Sequence, residues 1–286
     1  MNIAVLSGKG GTGKTLLAVN LAAVAQSSVY IDCDVEEPNG HLFFKPLEVE
    51  NEDIAIKVPT VDDRFCNGCR ICVDFCKFNA LAYIDGKLII FQDICHSCGG
   101  CLLLCPEYAL TERDKYIGKI VRGTSENVTV HTGVLNIGEP SGTPIIKNLI
   151  AESALMKDKP VFIDCPPGSA CFVMESIKDA DYCILVAEPT RFGVHNLSMV
   201  WELVKLFNKP HGVILNKCLD SENPSEHFCS ENNIAILGKI PFDYELGTLN
   251  SNGLVASRVN EKYHDLFSSL LHQVIKEVGH ETTLDT

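Results

Sequence analysis

The sequence predicts an α/β fold: a doubly wound, mostly parallel sheet with a small α+β domain inserted into it. Three observations predict it. Short apolar runs recur along the chain, each ending in a polar residue and followed by helical periodicity, which is the pattern of βα units around a buried parallel sheet. The first run leads into a glycine-rich turn, Ser7-Gly8-Lys9-Gly10-Gly11-Thr12-Gly13-Lys14-Thr15. Between residues 58 and 111 the composition changes, and eight of the chain's 14 cysteines fall there in two runs of one spacing. Residues 1–57 and 112–286 are therefore assigned to the sheet domain and 58–111 to the insert.

The first strand covers Ile3 to Leu6, and Leu16, Leu17, Val19, Leu21 and Ala25 mark the helix after the turn. The turn fits G-x-x-x-x-G-K-[ST] from Gly8 to Thr15. Gly8, Gly10, Gly11 and Gly13, with Thr12 between them, let backbone N–H groups close around phosphate oxygens, and the helix N-terminus adds positive dipole. Lys14 is then expected to reach the β- and γ-phosphates, and the Thr15 hydroxyl to ligate Mg²⁺. Lys9 is a second lysine inside the same loop.

Val29 to Asp32 predicts a second buried strand, with Asp32-Cys33-Asp34 at its C-terminal end, where ligands bind in parallel sheets. Tyr116 to Ile137 alternates apolar and polar residues and reads as an antiparallel excursion or edge strands. A helix is expected from about Pro144 to Met156. Val161 to Asp164 is a strand ending in aspartate, which sets a carboxylate near a phosphate-bound Mg²⁺, and Cys165-Pro166-Pro167-Gly168 turns away from it. Further strands are expected at Tyr182 to Ala187, Val213 to Lys217 and Ile236 to Ile240, with helices at about Val194–Phe207 and Glu261–Val278. The last helix carries Leu266, Leu270, Leu271, Val274 and Ile275 on one side. Trp201 is expected in the core, and Cys171 as a small buried residue, with a metal or partner contact as its alternative. Cys33, Cys165, Cys183, Cys218 and Cys229 show no ligand spacing.

The insert is an internal duplication. Cys66-x2-Cys69-x2-Cys72-x3-Cys76 returns as Cys95-x2-Cys98-x2-Cys101-x3-Cys105, each matched pair 29 residues apart, and Ala80-Leu81 and Ala109-Leu110 share the offset. Three thiolates in a short loop can wrap one face of an iron–sulfur cubane, while the fourth sits on a helix leading away. This arrangement resembles the bacterial two-cluster ferredoxins, in which the last cysteine of each run ligates the opposite cluster. The resemblance implies Cys66, Cys69, Cys72 and Cys105 for one [4Fe–4S] cluster and Cys95, Cys98, Cys101 and Cys76 for the other. Lys77 stands where the motif usually has proline, whereas Pro106 keeps it. Cys-x2-Cys is also a zinc spacing, but eight cysteines in this doubled order disfavour zinc. So small a domain buries little apolar area alone, and the clusters would serve as its core.

K-G-G-x-G-K-T from Lys9 to Thr15, Asp32-Cys33-Asp34 and Asp164-Cys165-Pro166-Pro167-Gly168 together resemble the deviant P-loop and switch regions of the MinD-like ATPases, which include MinD, ParA, the Mrp-type iron–sulfur carriers and the nitrogenase iron protein. The resemblance implies ATP and ADP as ligands with Mg²⁺. Lys9 would reach across an ATP-dependent dimer, with a second copy or a related ATPase, to the partner's nucleotide. Asp32 would hold Mg²⁺ through water beside Asp164, Asp34 would orient the attacking water, and Gly168 would meet the γ-phosphate. Asn216 would bind the adenine edge, and the backbone at Pro241 would frame the base.

A formal net charge of −13 argues against nucleic acid or an anionic membrane as the partner. No apolar run approaches the ~20 residues of a bilayer span, and the last helix lacks the basic face of a membrane-bound amphipathic helix. The chain opens directly on the first strand, so no leader is expected and the location expected is cytoplasmic. The function expected is an ATPase that couples nucleotide state to electron transfer through two clusters, with a redox protein as partner. Two alternatives stay open: a carrier that delivers a cluster to an acceptor protein, and a redox-sensing positioning switch.

Overall fold

The computed structural model describes residues 1–156, 158–220 and 222–282, with side chains to residue 279. In chain order the elements are β1 (Asn2–Leu6), α1 (Lys14–Val24), β2 (Ser28–Asp32), α2 (Gly40–Phe44), β3 (Leu47–Val61), α3 (Ile71–Phe75), β4 (Leu81–Ile84), β5 (Lys87–Ile90), α4 (Gly100–Leu103), β6 (Leu110–Ser125), β7 (Val128–Leu135), α5 (Thr143–Ser153), β8 (Val161–Asp164), α6 (Cys171–Ile177), β9 (Tyr182–Ala187), α7 (Arg191–Leu206), β10 (His211–Cys218), α8 (Pro224–Glu231), β11 (Ile236–Pro241), α9 (Tyr244–Ser251), α10 (Ala256–Val259) and α11 (Glu261–Thr282).

The strands of the main sheet run in the order β11-β10-β9-β1-β8-β2-β7-β6-β3. Every pairing from β11 to β7 is parallel. Strands buried on both faces carry near-continuous apolar sequence, and β1, β2, β8 and β9 do so. β1 lies mid-sheet between β8 and β9, with Val5 opposite Asp164 on one side and Ile184 on the other. On β2, Asp32 stands opposite Asp164. The register thus sets two carboxylates side by side where the chain leaves β1. Glu126-Asn127 is a two-residue turn between β6 and β7, so these strands are antiparallel. They form the excursion expected over 116–137.

The chain divides into two compact units. One comprises Met1–Glu52, Ile120–Val134 and Ile145–Thr286, and the other Asp53–Lys119 with Leu135–Pro144. The chain therefore passes between them at four places, 52/53, 119/120, 134/135 and 144/145, where an insertion at 58–111 would cross twice. In the first unit, Tyr263, Phe267, Leu270 and Val274 of α11 join Leu17 and Leu21 of α1 in one buried cluster. In the second, β4 and β5 form an antiparallel hairpin, and the core consists of Cys72, Leu81, Leu88, Cys101 and Leu110.

Three expectations need correction. The apolar face of α11 is a stripe at Tyr263, Phe267, Leu270, Leu271, Val274 and Val278, the 3.6-residue period counted from Tyr263; Ile275 falls off it and is 46% exposed. Cys171 is exposed rather than buried, because as the first residue of α6 it precedes the inward-facing Val173, Ser176 and Ile177. Trp201 is half-buried, meeting Phe228 edge-on at 5.6 Å with the Lys205 ammonium 4.2 Å above its ring. Among the described residues, no helix is long and apolar enough to cross a membrane.

Phe267→Ala should cost about 3–5 kcal/mol in urea unfolding, the range for a fully buried phenylalanine. Ile275→Ala, off the stripe, should change stability by no more than about 0.5 kcal/mol.

Candidate functional site

Leu6 ends β1 inside the sheet, and residues 7–13 loop back to α1. Gly13 closes the loop at φ 99°, a left-handed conformation that favours glycine, and an added Cβ would stand 2.0 Å from Asn216 Nδ2. Asn216 is buried at the end of β10: its Nδ2 donates to the Thr12 carbonyl (2.8 Å), and its Oδ1 accepts from the Lys217 N–H (2.9 Å). Internal bonds brace the loop. Thr12 Oγ1 donates to the Lys9 carbonyl (3.0 Å), Ser7 Oγ to the same oxygen (2.9 Å), and Lys217 Nζ to the Gly11 carbonyl (2.7 Å). A cavity of about 580 Å³ opens above, lined by Lys9, Gly10, Gly11, Gly13, Lys14 and Thr15 with Asp34, Asn216 and Pro241. Leu42, Phe43, Phe242 and Leu246 add apolar surface to its lining.

Beneath the cavity lie the carboxylates. Asp164 is 1% exposed; its Oδ1 accepts from Lys14 Nζ at 2.7 Å and its Oδ2 from the Tyr30 hydroxyl at 2.9 Å. Asp32 accepts three backbone N–H bonds, from Asp34 (3.1 Å) on Oδ1 and from Asn39 (3.0 Å) and Gly40 (2.8 Å) on Oδ2. It therefore organises the 34–40 turn as well as standing beside Asp164. Burial, then the neighbouring Asp164, push the Asp32 carboxyl up to about 7, and burial pushes Asp34 up to about 6. Burial lowers the Lys14 ammonium, but Asp164, Asp32 and Asp34 outweigh it and leave its pKa raised.

The structure thus brings together Lys14, Asp32, Asp34, Asp164, Asn216 and the glycine loop. It holds Lys9 on its own chain, 3.6 Å from Glu188 and 5.1 Å from the centre of the Phe192 ring. Lys14 points at Asp164 rather than into an open loop. Sequence reasoning missed Tyr30, Glu188 and Lys217. Glu188 Oε1 accepts from Lys217 Nζ at 2.6 Å, so one carboxylate meets both lysines. The only signal for Tyr30 was a hydroxyl-bearing residue inside an otherwise apolar strand.

The second unit holds the clustered cysteines. A cavity of about 140 Å³ is lined by Cys95, Cys98, Cys101 and Cys76, and a smaller one of about 20 Å³ by Cys66, Cys69, Cys72 and Cys105. Each set takes three cysteines from one run and the last from the other. The backbone repeats with the sequence: positive φ occurs at Gly68 and Ser97, Arg70 and Gly99, Asn79 and Tyr108, each pair 29 apart. Ala80 N–H donates to Cys76 Sγ (3.4 Å) and Ala109 N–H to Cys105 Sγ (3.3 Å). The crossing is a pseudo-twofold exchange, seen also where Asp62 N–H meets the Ala109 carbonyl and Phe91 N–H the Ala80 carbonyl. Burial, then the neighbouring Cys95, push the Cys101 thiol up to about 11; burial raises Cys72 too, with Cys69 and Cys105 adding to it. Among the described residues, no three His, Cys, Asp or Glu side chains converge as a single-ion site.

The raised carboxyl of Asp32 makes stability depend on pH. Between its ordinary 3.8 and about 7, the folded protein keeps a proton that the unfolded chain has lost. Its contribution to stability is therefore full below pH 4 and lost as pH rises to 7. Denaturant unfolding without nucleotide or Mg²⁺ should show a flatter decline over this window for Asp32→Asn than for the parent.

Comparison with known proteins places these features. The CobQ/CobB/MinD/ParA nucleotide binding domain (CbiA) matches residues 3–265. Two uncharacterised proteins of Methanocaldococcus jannaschii, MJ0579 and MJ0578, are each 30% identical, over 253 and 282 residues; the matches cover 85% and 94% of this chain and 86% and 96% of theirs. An iron–sulfur cluster carrier protein of the same organism is 23% identical over 96% of this chain and 84% of its own. Among solved structures, the cell division ATPase MinD of Pyrococcus furiosus superposes with a TM-score of 0.60 at 19% identity, covering 96% of this chain and 98% of that one. MinD of Pyrococcus horikoshii, complexed with Mg-ADP, gives 0.58 at 20% identity, covering 96% and 95%. A family model that spans residues 3–265 places the chain: it belongs to the CobQ/CobB/MinD/ParA nucleotide-binding domain family.

Proposed function

We propose that this protein is a Mg²⁺-dependent ATPase whose nucleotide state governs electron transfer through two [4Fe–4S] clusters. The observation that carries the cluster half is the crossed lining of the two cysteine cavities, three thiols from one run and the last of the other. That exchange is what two-cluster ferredoxins require, and a mononuclear zinc site has no use for it. A cubane spreads its iron over four corners, so its thiolates stand farther apart than the ligands of one ion. The N–H bonds onto Cys76 and Cys105 are of the kind that tune cluster potential. Bound there, the clusters supply one-electron chemistry, and the exposed Cys69 and Cys98 mark the edges nearest solvent.

In the nucleotide half, Lys14 occupies the position that phosphate would claim. With ATP bound, Lys14 would turn from Asp164 to the β- and γ-phosphates, leaving Asp164, beside Asp32, to help hold the magnesium. Thr15 would supply a hydroxyl ligand. Asp34, partly exposed on the cavity wall, orients the attacking water. Gly168 N–H donates to the Ser7 carbonyl at 2.9 Å; exchanging that bond for a γ-phosphate oxygen moves the loop after β8 and reports hydrolysis. Asn216 and Pro241 lie on the wall where the base would sit. Lys9, leaving Glu188, would cross to a second subunit, either another copy or a related ATPase.

The relative named an iron–sulfur cluster carrier favours a second reading, delivery of a cluster to an acceptor protein. Mixing loaded protein with an apo-acceptor separates the two: delivery removes iron from this chain, whereas electron transfer leaves it in place.

Anaerobically reconstituted protein should hold about eight irons per chain. Cys105→Ser should lose about half of them together with one of two EPR-distinguishable clusters, and Cys183→Ser, buried far from any run in sequence, should lose none. Asp164→Ala should lower the ATPase kcat by a factor of about 100 or more, since metal stabilisation of the transferring phosphoryl group contributes several kcal/mol.

A further inference from the structure

Tyr30 belongs to none of the motifs that define the site, yet it touches both carboxylate systems. It is fully buried in β2, two residues before Asp32. Its hydroxyl donates to Asp164 Oδ2 at 2.9 Å, while Lys14 holds the other oxygen. Its ring lies directly under Gly40, where a Cβ would stand 2.2 Å from Tyr30 Cε1, so that only glycine fits. The Gly40 N–H in turn donates to Asp32 Oδ2 at 2.8 Å. Phe44 supports the ring from the side, centroid to centroid 5.1 Å.

We propose that Tyr30 is a positioning residue of the magnesium site: its hydroxyl holds Asp164 in a fixed orientation, and its ring seats the 39–40 turn whose amides hold Asp32. This rests on the assignment of Mg²⁺ to Asp32 and Asp164 above. The need arises when Lys14 leaves for the phosphates. Asp164 then loses its partner on Oδ1, and a buried carboxylate with no remaining donor is costly and free to rotate. Tyr30 keeps one oxygen satisfied and leaves Oδ1, the atom that Lys14 gives up, for the metal. An aliphatic residue at the same place would fill the sheet equally well and leave Asp164 Oδ2 bare.

The test uses Tyr30→Phe, which keeps the ring and removes only the hydroxyl. ADP affinity of the full-length, cluster-loaded protein is measured by calorimetry with Mg²⁺ and with EDTA, and the ratio of the two is the gain due to metal. The expected result is a gain reduced roughly tenfold, the lower end for losing a partner of a metal-binding carboxylate, with a much smaller change in EDTA. General loss of packing would lower both affinities together and leave the ratio unmoved. A ratio equal to the parent's overturns the proposal. Asp164→Asn, run alongside, separates the premises: if it keeps the full gain, the magnesium assignment itself fails; if it loses the gain while Tyr30→Phe keeps it, only the role of Tyr30 fails. A second readout needs no metal. Tyr30→Phe and Asp164→Asn should be non-additive in the stability of the unliganded protein, and strict additivity contradicts the contact.

Discussion

The contact on which the nucleotide half depends is the buried pair between Lys14 and Asp164, 2.7 Å apart and almost out of reach of solvent. The register of the sheet forces Asp164 and Asp32 together, and two anions cannot share a dry site without a cation. Lys14 is that cation. It reaches them because Gly13 turns the chain left-handed at the start of α1 and points the first helical side chain back over the sheet. A buried pair of this kind is a poor source of stability, since desolvation of both charges offsets most of their attraction. Under the proposed function its value lies in being exchangeable: phosphate would take the lysine and a metal the carboxylate, with charge balanced throughout.

The glycine loop and both aspartates were legible because each follows a local rule, whereas Asn216 and Pro241 entered only through the family resemblance. A turn that cradles phosphate needs glycines at fixed spacing, and parallel strands present ligands at their C-terminal ends. What was not legible depends on register. Tyr30 faces Asp164 only because Tyr30 stands opposite Phe162 on β8, which spacing along one strand does not reveal. Glu188 meets Lys9 and Lys217 from the end of a third strand. The stripe on α11 was displaced for a related reason: with apolar residues at Tyr263, Leu266, Phe267 and Ile275 alike, only contact with α1 selects among them.

The cysteine unit shows the same division. Its cysteine spacing and duplication are written in the sequence at an exact period, and each cavity takes three cysteines from one run and the last from the other. The left-handed turns are half hidden. Gly68 and Gly99 announce two of them, but their counterparts Ser97 and Arg70, and the pair Asn79 and Tyr108, adopt positive φ without glycine. Asn tolerates that conformation; Tyr, Ser and Arg do so because the repeat imposes it. Residues 135–144 joined this unit unannounced, since their membership rests on contacts such as Lys115 with Glu139 and the Asn136 N–H with the Ile117 carbonyl, none of them local in sequence.

The proposed function requires that nucleotide exchange at Lys14 be felt by the cysteine unit. The most direct measurement is an anaerobic redox titration of the clusters, followed by EPR, with ADP, with ATP and with a non-hydrolysable ATP analogue, each with Mg²⁺. Coupling predicts that the midpoint potential differs between the ADP and ATP-analogue states by tens of millivolts, where about 60 mV is tenfold for one electron. Identical potentials in all three states, together with identical rates of electron delivery to an acceptor, would contradict it.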